Sequence, residues 1–415
     1  MKLTDEEQAM RAGQLGPMRQ WAIEHQIKVG SYFGAHDFVP VMQAHIMADT
    51  ESLGAAGVAW LEGWARLPAK DRTVRIPTIT DPRGTDFNAT ARLKHEPWML
   101  DLERRAIEAF RALGVLMTDT CINYQTIMAP VLGEHAAFGD TGVTIYSNSV
   151  CGARSNFEGG PSALSAGMTG RTPRYGYHLD EQRRATLEVH VSVTPRSFDE
   201  WGALGGIVGR LSGDYWQVPA IVGIDRVPSS DEMKHFGAAL ASYGSAALFH
   251  MVGITPEAMR SPDVIRHGAD LRRYRIGATD ISDFKARYGR NLEAVDIVVF
   301  SAPQLSLVEM RQVAELLDGR RATIPLLAIT SPQVKPDADR MGLTARIEAA
   351  GGTVLAGMCF YQSYAREMAE ANGWQRLATN SAKLVNILGG YGYQPALMSM
   401  ESCVDLACRG GRIAP

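Results

Sequence analysis

Apolar residues recur at helical spacing in Gln8 to Trp21 and in Thr50 to Ala65, while Pro40, Pro68, Pro77 and Pro82 interrupt the stretches between and after them. The first hundred residues therefore read as helices joined by turns, with Thr4 and Glu7 spaced as a capping box at the start. Leu102, Ala106, Ile107, Phe110 and Leu113 share one face of a helix over Asp101 to Leu113, and Gly114 is placed to end it. A β-branched run, Gly142 to Val150, predicts a strand that leads into a glycine-rich loop. Gly159, Gly160 and Pro161 then open a helix, with proline suited to its first turn. Phe236 to Pro256 carries no charge, but Gly237, Gly244, Gly253 and His250 break it, so it reads as buried helix, turn and strand, not as a membrane span. The pattern is clearest in the last third. Val295–Phe300, Ile324–Ile329 and Thr353–Ala356 read as strands, with helices over Leu307–Leu317 and Asp337–Ala350 between them. This alternation predicts a parallel sheet with right-handed crossovers, where ligands gather beyond the carboxyl ends of strands. Cys359 sits at one such end.

Length and composition narrow the class. The chain has 415 residues, with 42 Lys plus Arg against 45 Asp plus Glu, a formal net charge of -3. That balance excludes the broad basic surface that nucleic acid demands. At 46% hydrophobic and 21% charged, the composition is that of a globular protein large enough for several domains. Boundaries are expected after Val227 and near Asp280 to Asp283. This divides the chain into an N-terminal region, 1–227, with a helical start and the loop 146–164, a connecting α/β region, 228–283, and a C-terminal α/β domain, 284–415. The absence of an apolar signal core at the start and the scatter of 5 cysteines point to a reducing, cytoplasmic setting, with no membrane segment.

Several familiar sites are excluded. The sequence holds no Cys-x-x-Cys, no Gly-x-Ser-x-Gly and no His-Glu-x-x-His. Gly202 to Gly209 has the look of a nucleotide loop without its lysine or its strand context, and helix packing explains it better. The segment Tyr146 to Leu164 is richer in chemistry. Asn148, Ser149, Arg154, Ser155, Asn156 and Glu158 precede the helix start at Gly159 and Gly160, where free N–H groups suit a carboxylate or phosphate. The competing reading is an ordinary polar loop. His36 and Asp37 form a second, weaker pair, and free cysteines are more often buried small hydrophobes than ligands.

The run Asn148-Ser-Val-x-Gly-Ala-Arg-Ser-Asn-x-Glu-Gly-Gly-Pro-Ser-Ala-Leu, followed by Thr169-Gly-Arg-Thr-Pro, resembles the aconitase X family. The likeness extends through Gly34-Ala-His-Asp, Arg75-Ile-Pro-Thr-Ile-Thr, Leu248-Phe-His-Met-Val-Gly and Thr379-Asn-Ser-Ala-Lys, and it covers nearly the whole chain. It implies an aconitase-like architecture: several α/β domains, parallel sheets flanked by helices, and a cluster site in the cleft between domains. It also implies an iron–sulfur dehydratase, of which this chain resembles the large subunit. By motif position the cluster ligands would be Cys121, Cys359 and Cys403. Relatives can carry Gly-Cys-Pro-His after the strand ending at Phe300, whereas this chain has Ser301-Ala-Pro-Gln. The resemblance thus leaves the cluster open between [2Fe-2S] and [4Fe-4S] or [3Fe-4S].

Two substrates follow from the family, cis-3-hydroxy-L-proline and mevalonate 5-phosphate. The wording of the 146–157 segment resembles the hydroxyproline branch more closely. That reaction would lose water from C3 and the α-proton from C2 in an anti sense. It would place Asn148, Arg154, Ser155, Asn156, Glu158, Gly159 and Gly160 at the substrate, and His36, Asp37, Ser149 and Lys383 among the groups handling protons or contacting substrate. A separate small subunit carrying the swivelling domain would complete the site. A cluster-bearing regulatory binding protein is the alternative from another class.

Overall fold

The computed structural model describes residues 1–260 and 271–413. Its first part is built on short strands: β1 (Phe38–Pro40), β2 (Ala44–Ile46), β3 (Thr78–Thr80), β4 (Ala137–Phe138) and β5 (Arg171–Pro173). β2 lies between β3 and β4 with both parallel to it, while β1 and β5 form a separate antiparallel pair. Ile46 packs with Met18, Leu61, Phe110 and Leu164 from the surrounding helices. The capping box of Thr4 and Glu7 is present, but the helix expected over Gln8 to Trp21 is two helices, Asp5–Arg11 and Pro17–Tyr32. Gly13 and Gly16 between them take positive φ values of 75° and 99°, which a helix does not allow. Thr50–Ala65 has the expected bounds, and the helix near Asp101 runs Pro97–Ala112, starting earlier because proline suits its first turn.

The strand expected over Gly142 to Val150 is not formed. Thr141–Tyr146 is an α-helix capped by the Asp140 side chain, and it continues as a wider turn over Ser147–Cys151 that ends at Gly152 with φ of 69°. Gly142 to Ser149 are buried or nearly so, and a run buried on every side carries no period to read.

The second part is a parallel sheet of order β8-β7-β6-β9, formed by β6 (Leu187–Val191), β7 (Pro219–Val222), β8 (His250–Met251) and β9 (Arg272–Ile276). The Pro-Ser-Ser-Asp segment after Val227 lies within this unit, where Ser229 caps the helix Ser230–Gly244. Of the region 228–283, residues 261–270 fall outside the described residues. Phe236 to Pro256 is the helix end, turn and strand that the sequence predicts. The glycines at 202–209 lie in the helix Phe198–Ser212 and serve packing. A Cβ on Gly205 would stand 2.2 Å from the Phe236 carbonyl oxygen, and one on Gly209 would stand 2.7 Å from that of Leu240.

The third part is a five-stranded, all-parallel sheet of order β12-β11-β10-β13-β14. Its strands are β10 (Ile297–Leu305), β11 (Leu326–Thr330), β12 (Thr353–Ala356), β13 (Arg376–Thr379) and β14 (Gln394–Leu397). β10 is buried along its whole length, as a central strand covered on both faces must be. The helix expected over Asp337 to Ala350 is two, Lys335–Arg340 and Leu343–Ala349, because Gly342 between them takes φ of 72°. The α/β class with parallel sheets flanked by helices is thus the observed fold. Among the described residues no helix is long and apolar enough to cross a membrane.

Candidate active site

Strand ends assemble the site. Asp81 follows β3, Asp140 follows β4 and His45 lies in β2, so the first sheet turns its carboxyl edge toward one place. From the third sheet come Ser301 and Gln304 in the last part of β10, Cys359 past β12, and Lys383 just past β13. Cys121 joins them through its own segment, which Thr120 anchors by donating its N–H to the Thr80 carbonyl at 3.1 Å.

Cys121 and Cys359 share Lys383 and Asp81 as charged or ionisable neighbours. Burial pushes the Cys121 thiol well up, and nearby Asp81 and Cys359 add to the shift. Burial likewise pushes the Cys359 thiol up to about 12, against the pull of Lys383. The Gln304 N–H donates to Cys121 Sγ at 3.4 Å, and the Ser301 hydroxyl lies 3.8 Å from Cys359 Sγ. The segment Ser301-Ala-Pro-Gln thus reaches both thiols without a thiol of its own. Beside the pair, Lys383 Nζ donates to Asp140 Oδ2 at 3.2 Å. Burial raises Asp140, but the Lys383 ammonium and the Val143 N–H outweigh it and hold the carboxyl below its usual range. Asp81 is the opposite case: burial and the neighbouring Asp140 charge push it well above the carboxylate range. His45 is held neutral by burial, and its Nε2–H donates to the Thr120 carbonyl at 2.9 Å.

The pair fits an iron–sulfur group on its own chemistry. It offers soft thiol donors, and next to it Asp81 Oδ1, Gln304 Oε1 and both amide atoms of Asn123 have no hydrogen-bond partner among the described residues. The third expected ligand does not join it. Cys403 is fully buried, with Asp199, Glu401 and Lys285 as the charged groups around it. Among the described residues no three His, Cys, Asp or Glu side chains are arranged to hold a metal ion.

The polar loop is mostly self-satisfied. Asn148 Nδ2 donates to the Ser155 and Ala247 carbonyls, and its Oδ1 accepts from the Ser155 N–H. The Ser149 hydroxyl accepts from the Phe249 N–H at 2.9 Å. Ser155 Oγ accepts from the Phe138 N–H, and Asn156 is tied to the Tyr175, Tyr177 and Tyr215 region. Arg154 donates to the His178 carbonyl and pairs with Asp180, leaving no bidentate clamp on offer. Glu158 is buried, raised by that burial, and accepts from Thr172. These bonds lay the 154–158 segment along β4, with bridges from His135 to Arg154 and from Phe138 to Phe157. The result is positional: the helix start at Gly159 and Gly160 comes to lie beside β2 and β4. A Cβ on Gly139 would touch the Glu158 and His45 carbonyls, and one on Gly160 would stand 3.9 Å from the Met47 carbonyl. His36 and Asp37 lie apart from this assembly. His36 is exposed, and Asp37 is bound bidentately by Arg174 at 2.7 and 2.6 Å.

Sequence reasoning missed His45, Asp81 and Asp140. Each lies in or just beyond a buried strand of two or three residues, too short for a readable period. It also missed a further layer of buried acids. Gln362 Nε2 bridges Asp81 at 3.0 Å and Asp49 at 3.3 Å, and Thr50 donates to Glu103 at 2.5 Å. Burial pushes Glu103 up to about 7. The folded state therefore holds a proton there that the unfolded chain releases near pH 4.5, and stability falls as pH rises from about 4.5 to 7. The loss from this group amounts to roughly 3 kcal/mol. Glu103→Gln is expected to remove that loss, so that its stability relative to wild type improves by about this amount between pH 5 and pH 8 in denaturant titrations. A pH-independent difference between the two proteins contradicts the assignment.

Comparison with known proteins agrees with this geometry. Three family models match in succession: Aconitase X first domain over residues 1–181, second domain over 185–286 and third domain over 295–409. A Methanothermobacter thermautotrophicus protein named phosphomevalonate dehydratase large subunit is 33% identical over 96% of this chain and 95% of its own length. A Pseudomonas aeruginosa protein named cis-3-hydroxy-L-proline dehydratase is 30% identical over 98% of this chain and 70% of its own length. The crystal structure of Thermococcus kodakaraensis aconitase X in its holo-form superposes with a TM-score of 0.87 at 29% identity, covering 98% of this chain and 100% of that one.

Proposed function

The chain belongs to the aconitase X family, a family of dehydratases that implies an iron–sulfur cluster, and from that premise we propose that it dehydrates cis-3-hydroxy-L-proline together with a separate small subunit. The observation that carries the substrate reading is the charge around the thiol pair. Asp140 is the charged carboxylate beside it, and the nearby cations are already paired, Lys383 with Asp140 and Arg83 with Asp119, each at 3.2 Å, so neither is free for a phosphate. A zwitterionic amino acid suits such a neighbourhood, whereas a phosphate-bearing acid brings several uncompensated negative charges.

Cys121 and Cys359 would hold an iron–sulfur group, which when bound would supply Lewis-acid activation of the substrate hydroxyl. The remaining work falls to side chains of this chain. Asp81 keeps its proton because it is buried beside Asp140, and its Oδ1 is free to donate to a departing hydroxide. The N–H groups at Gly159 and Gly160 receive the substrate carboxylate, where charge grows as the α-proton leaves. Asn148, Ser149, Ser155, Asn156 and Glu158 position that helix start without touching substrate. His45, neutral and fixed by Thr120, keeps its Nε2 3.6 Å from Asp81 Oδ1.

Mevalonate 5-phosphate is the second reading. It is favoured by the relatives named phosphomevalonate dehydratase large subunit, which this chain matches over 95% and 100% of their length. Assay of the anaerobically prepared two-chain enzyme against both compounds separates the two. Turnover of cis-3-hydroxy-L-proline is expected, with the trans isomer at least about a hundredfold poorer, because it would need a syn elimination at a site arranged for anti, a mismatch of about 2.7 kcal/mol or more. Efficient turnover of mevalonate 5-phosphate alone overturns the first reading.

A further inference from the structure

We infer that Gln304 is a positioning residue that clasps the Cys121 and Cys359 segments together and so sets the spacing of the two thiols. The purpose of the clasp rests on the reading that this pair holds an iron–sulfur group, whereas the clasp itself rests on hydrogen bonds alone.

Gln304 is fully buried in β10, at a point where the ladder to β11 is interrupted. Phe300 pairs with Ala328 and Leu305 with Thr330, so Ser301 to Gln304 stand opposite Ile329 alone. A bulge of this kind re-aims side chains, and here it brings two polar ones to the thiols. Ser301 Oγ accepts from the Phe360 N–H at 3.2 Å and lies 3.8 Å from Cys359 Sγ. Gln304 reaches further. Its N–H donates to Cys121 Sγ at 3.4 Å, and its Nε2 donates to the Asp119 carbonyl at 3.1 Å and to the Met358 carbonyl at 3.2 Å. Asp119 stands two residues before Cys121, and Met358 immediately before Cys359. One side-chain amide thus joins two segments that are remote in the chain. Asp119 also takes a positive φ of 52°, a strained conformation for a residue other than glycine, and the bond to its carbonyl helps to hold it there.

The orientation of that amide is fixed. A flip would set Oε1 against two carbonyl oxygens, exchanging two hydrogen bonds for repulsion. The orientation kept leaves Oε1 buried with no partner among the described residues, a penalty that a residue serving only to fill the core does not carry. The main chain is held as well. The Gln304 carbonyl accepts from Lys234 Nζ at 3.2 Å, and Lys234, itself 1% exposed, is anchored by Asp231 at 3.0 Å and by Glu309. Thiols that must meet one inorganic group need exactly such support, from neighbours whose own positions are locked.

The test follows the full chain in two ways. Alkylation of each cysteine by iodoacetamide is followed by peptide mass spectrometry under native conditions without iron. Iron release to a chelator and the visible spectrum are read after anaerobic reconstitution with ferrous iron and sulfide. Gln304→Met keeps the length of the side chain and removes both amide donors. It is expected to speed alkylation of Cys121 and Cys359 together by about tenfold or more, the scale of two lost hydrogen bonds, and to speed iron release and alter the spectrum. Ser301→Ala is expected to speed Cys359 alone. Cys403, fully buried in its own helix, should keep its wild-type rate in both variants. Gln304→Asn, one methylene too short to span both carbonyls, is expected to give the same pattern and takes the place of Gln304→Met if that variant fails to fold. Unchanged protection of the two thiols overturns the inference, and so does exposure of Cys403 to the same degree, which would reduce the clasp to general packing. A wild-type chain that takes up no iron overturns the cluster reading instead, and the alkylation rates still decide the clasp.

Discussion

Cys121→Ser and Cys359→Ser are each expected to lower dehydration at least about a thousandfold, which corresponds to losing about 4 kcal/mol or more of Lewis-acid stabilisation. The same substitutions should leave anaerobically reconstituted protein colourless, because a serine hydroxyl is a hard, weakly acidic donor where iron and sulfide call for a thiolate. Cys403→Ser provides the contrast. Cys403 lies in a fully buried position whose charged neighbours are Asp199, Glu401 and Lys285, so its substitution should cost stability while iron and sulfide remain bound. The measurement is iron and sulfide per chain alongside turnover, with thermal unfolding to separate stability from chemistry. Loss of iron in Cys403→Ser, with retention in Cys121→Ser, would reverse the assignment. Iron uptake should also be faster at alkaline pH, because burial raises both thiols and binding must displace their protons.

Turnover by this chain alone should fall to a small fraction, about a hundredth or less, of that seen with a small subunit present. Lids that close over an active site complete the catalytic set and exclude water, and their loss is commonly felt at this scale or more. The comparison supporting a second chain is one of length. This chain matches the phosphomevalonate dehydratase large subunits over nearly their whole extent, but only 70% and 69% of the two proteins named cis-3-hydroxy-L-proline dehydratase. Within this chain Asp81 is the proposed proton donor. Co-expression with a small subunit, followed by size-exclusion chromatography and assay of each fraction, tests the point. Full activity from the 415-residue chain in a fraction holding no second polypeptide would refute it.

Legibility varies with the length of the elements. Ile297–Leu305, Leu326–Thr330 and Thr353–Ala356 stand out in the sequence because each is a buried parallel strand followed by an amphipathic or cysteine-bearing segment. Cys359 is legible as a strand-end residue for the same reason. Thr141–Tyr146 reads as a strand because Val143, Thr144 and Ile145 favour strands, and tertiary burial on all sides overrides that preference. Gly13, Gly16 and Gly342 divide helices that apolar spacing alone would join, since spacing says nothing of φ.

The sequence by itself determined the α/β class, the dehydratase family and the pairing of a long polar loop with a helix start. These are carried by local pattern and by motif wording, both of which survive without coordinates. Only the tertiary structure decided which residues meet. Cys121 and Cys359 are 238 positions apart and share a site with Asp81, Asp140 and Lys383, because the carboxyl ends of separate parallel sheets converge there. Cys403 has the same side chain and a matching motif, yet its helix buries it elsewhere. Arg154 and Asn148 likewise spend their hydrogen bonds on the protein itself. Residue type states what a side chain is able to bind, whereas packing decides whether its partner is substrate, metal or a neighbouring carbonyl.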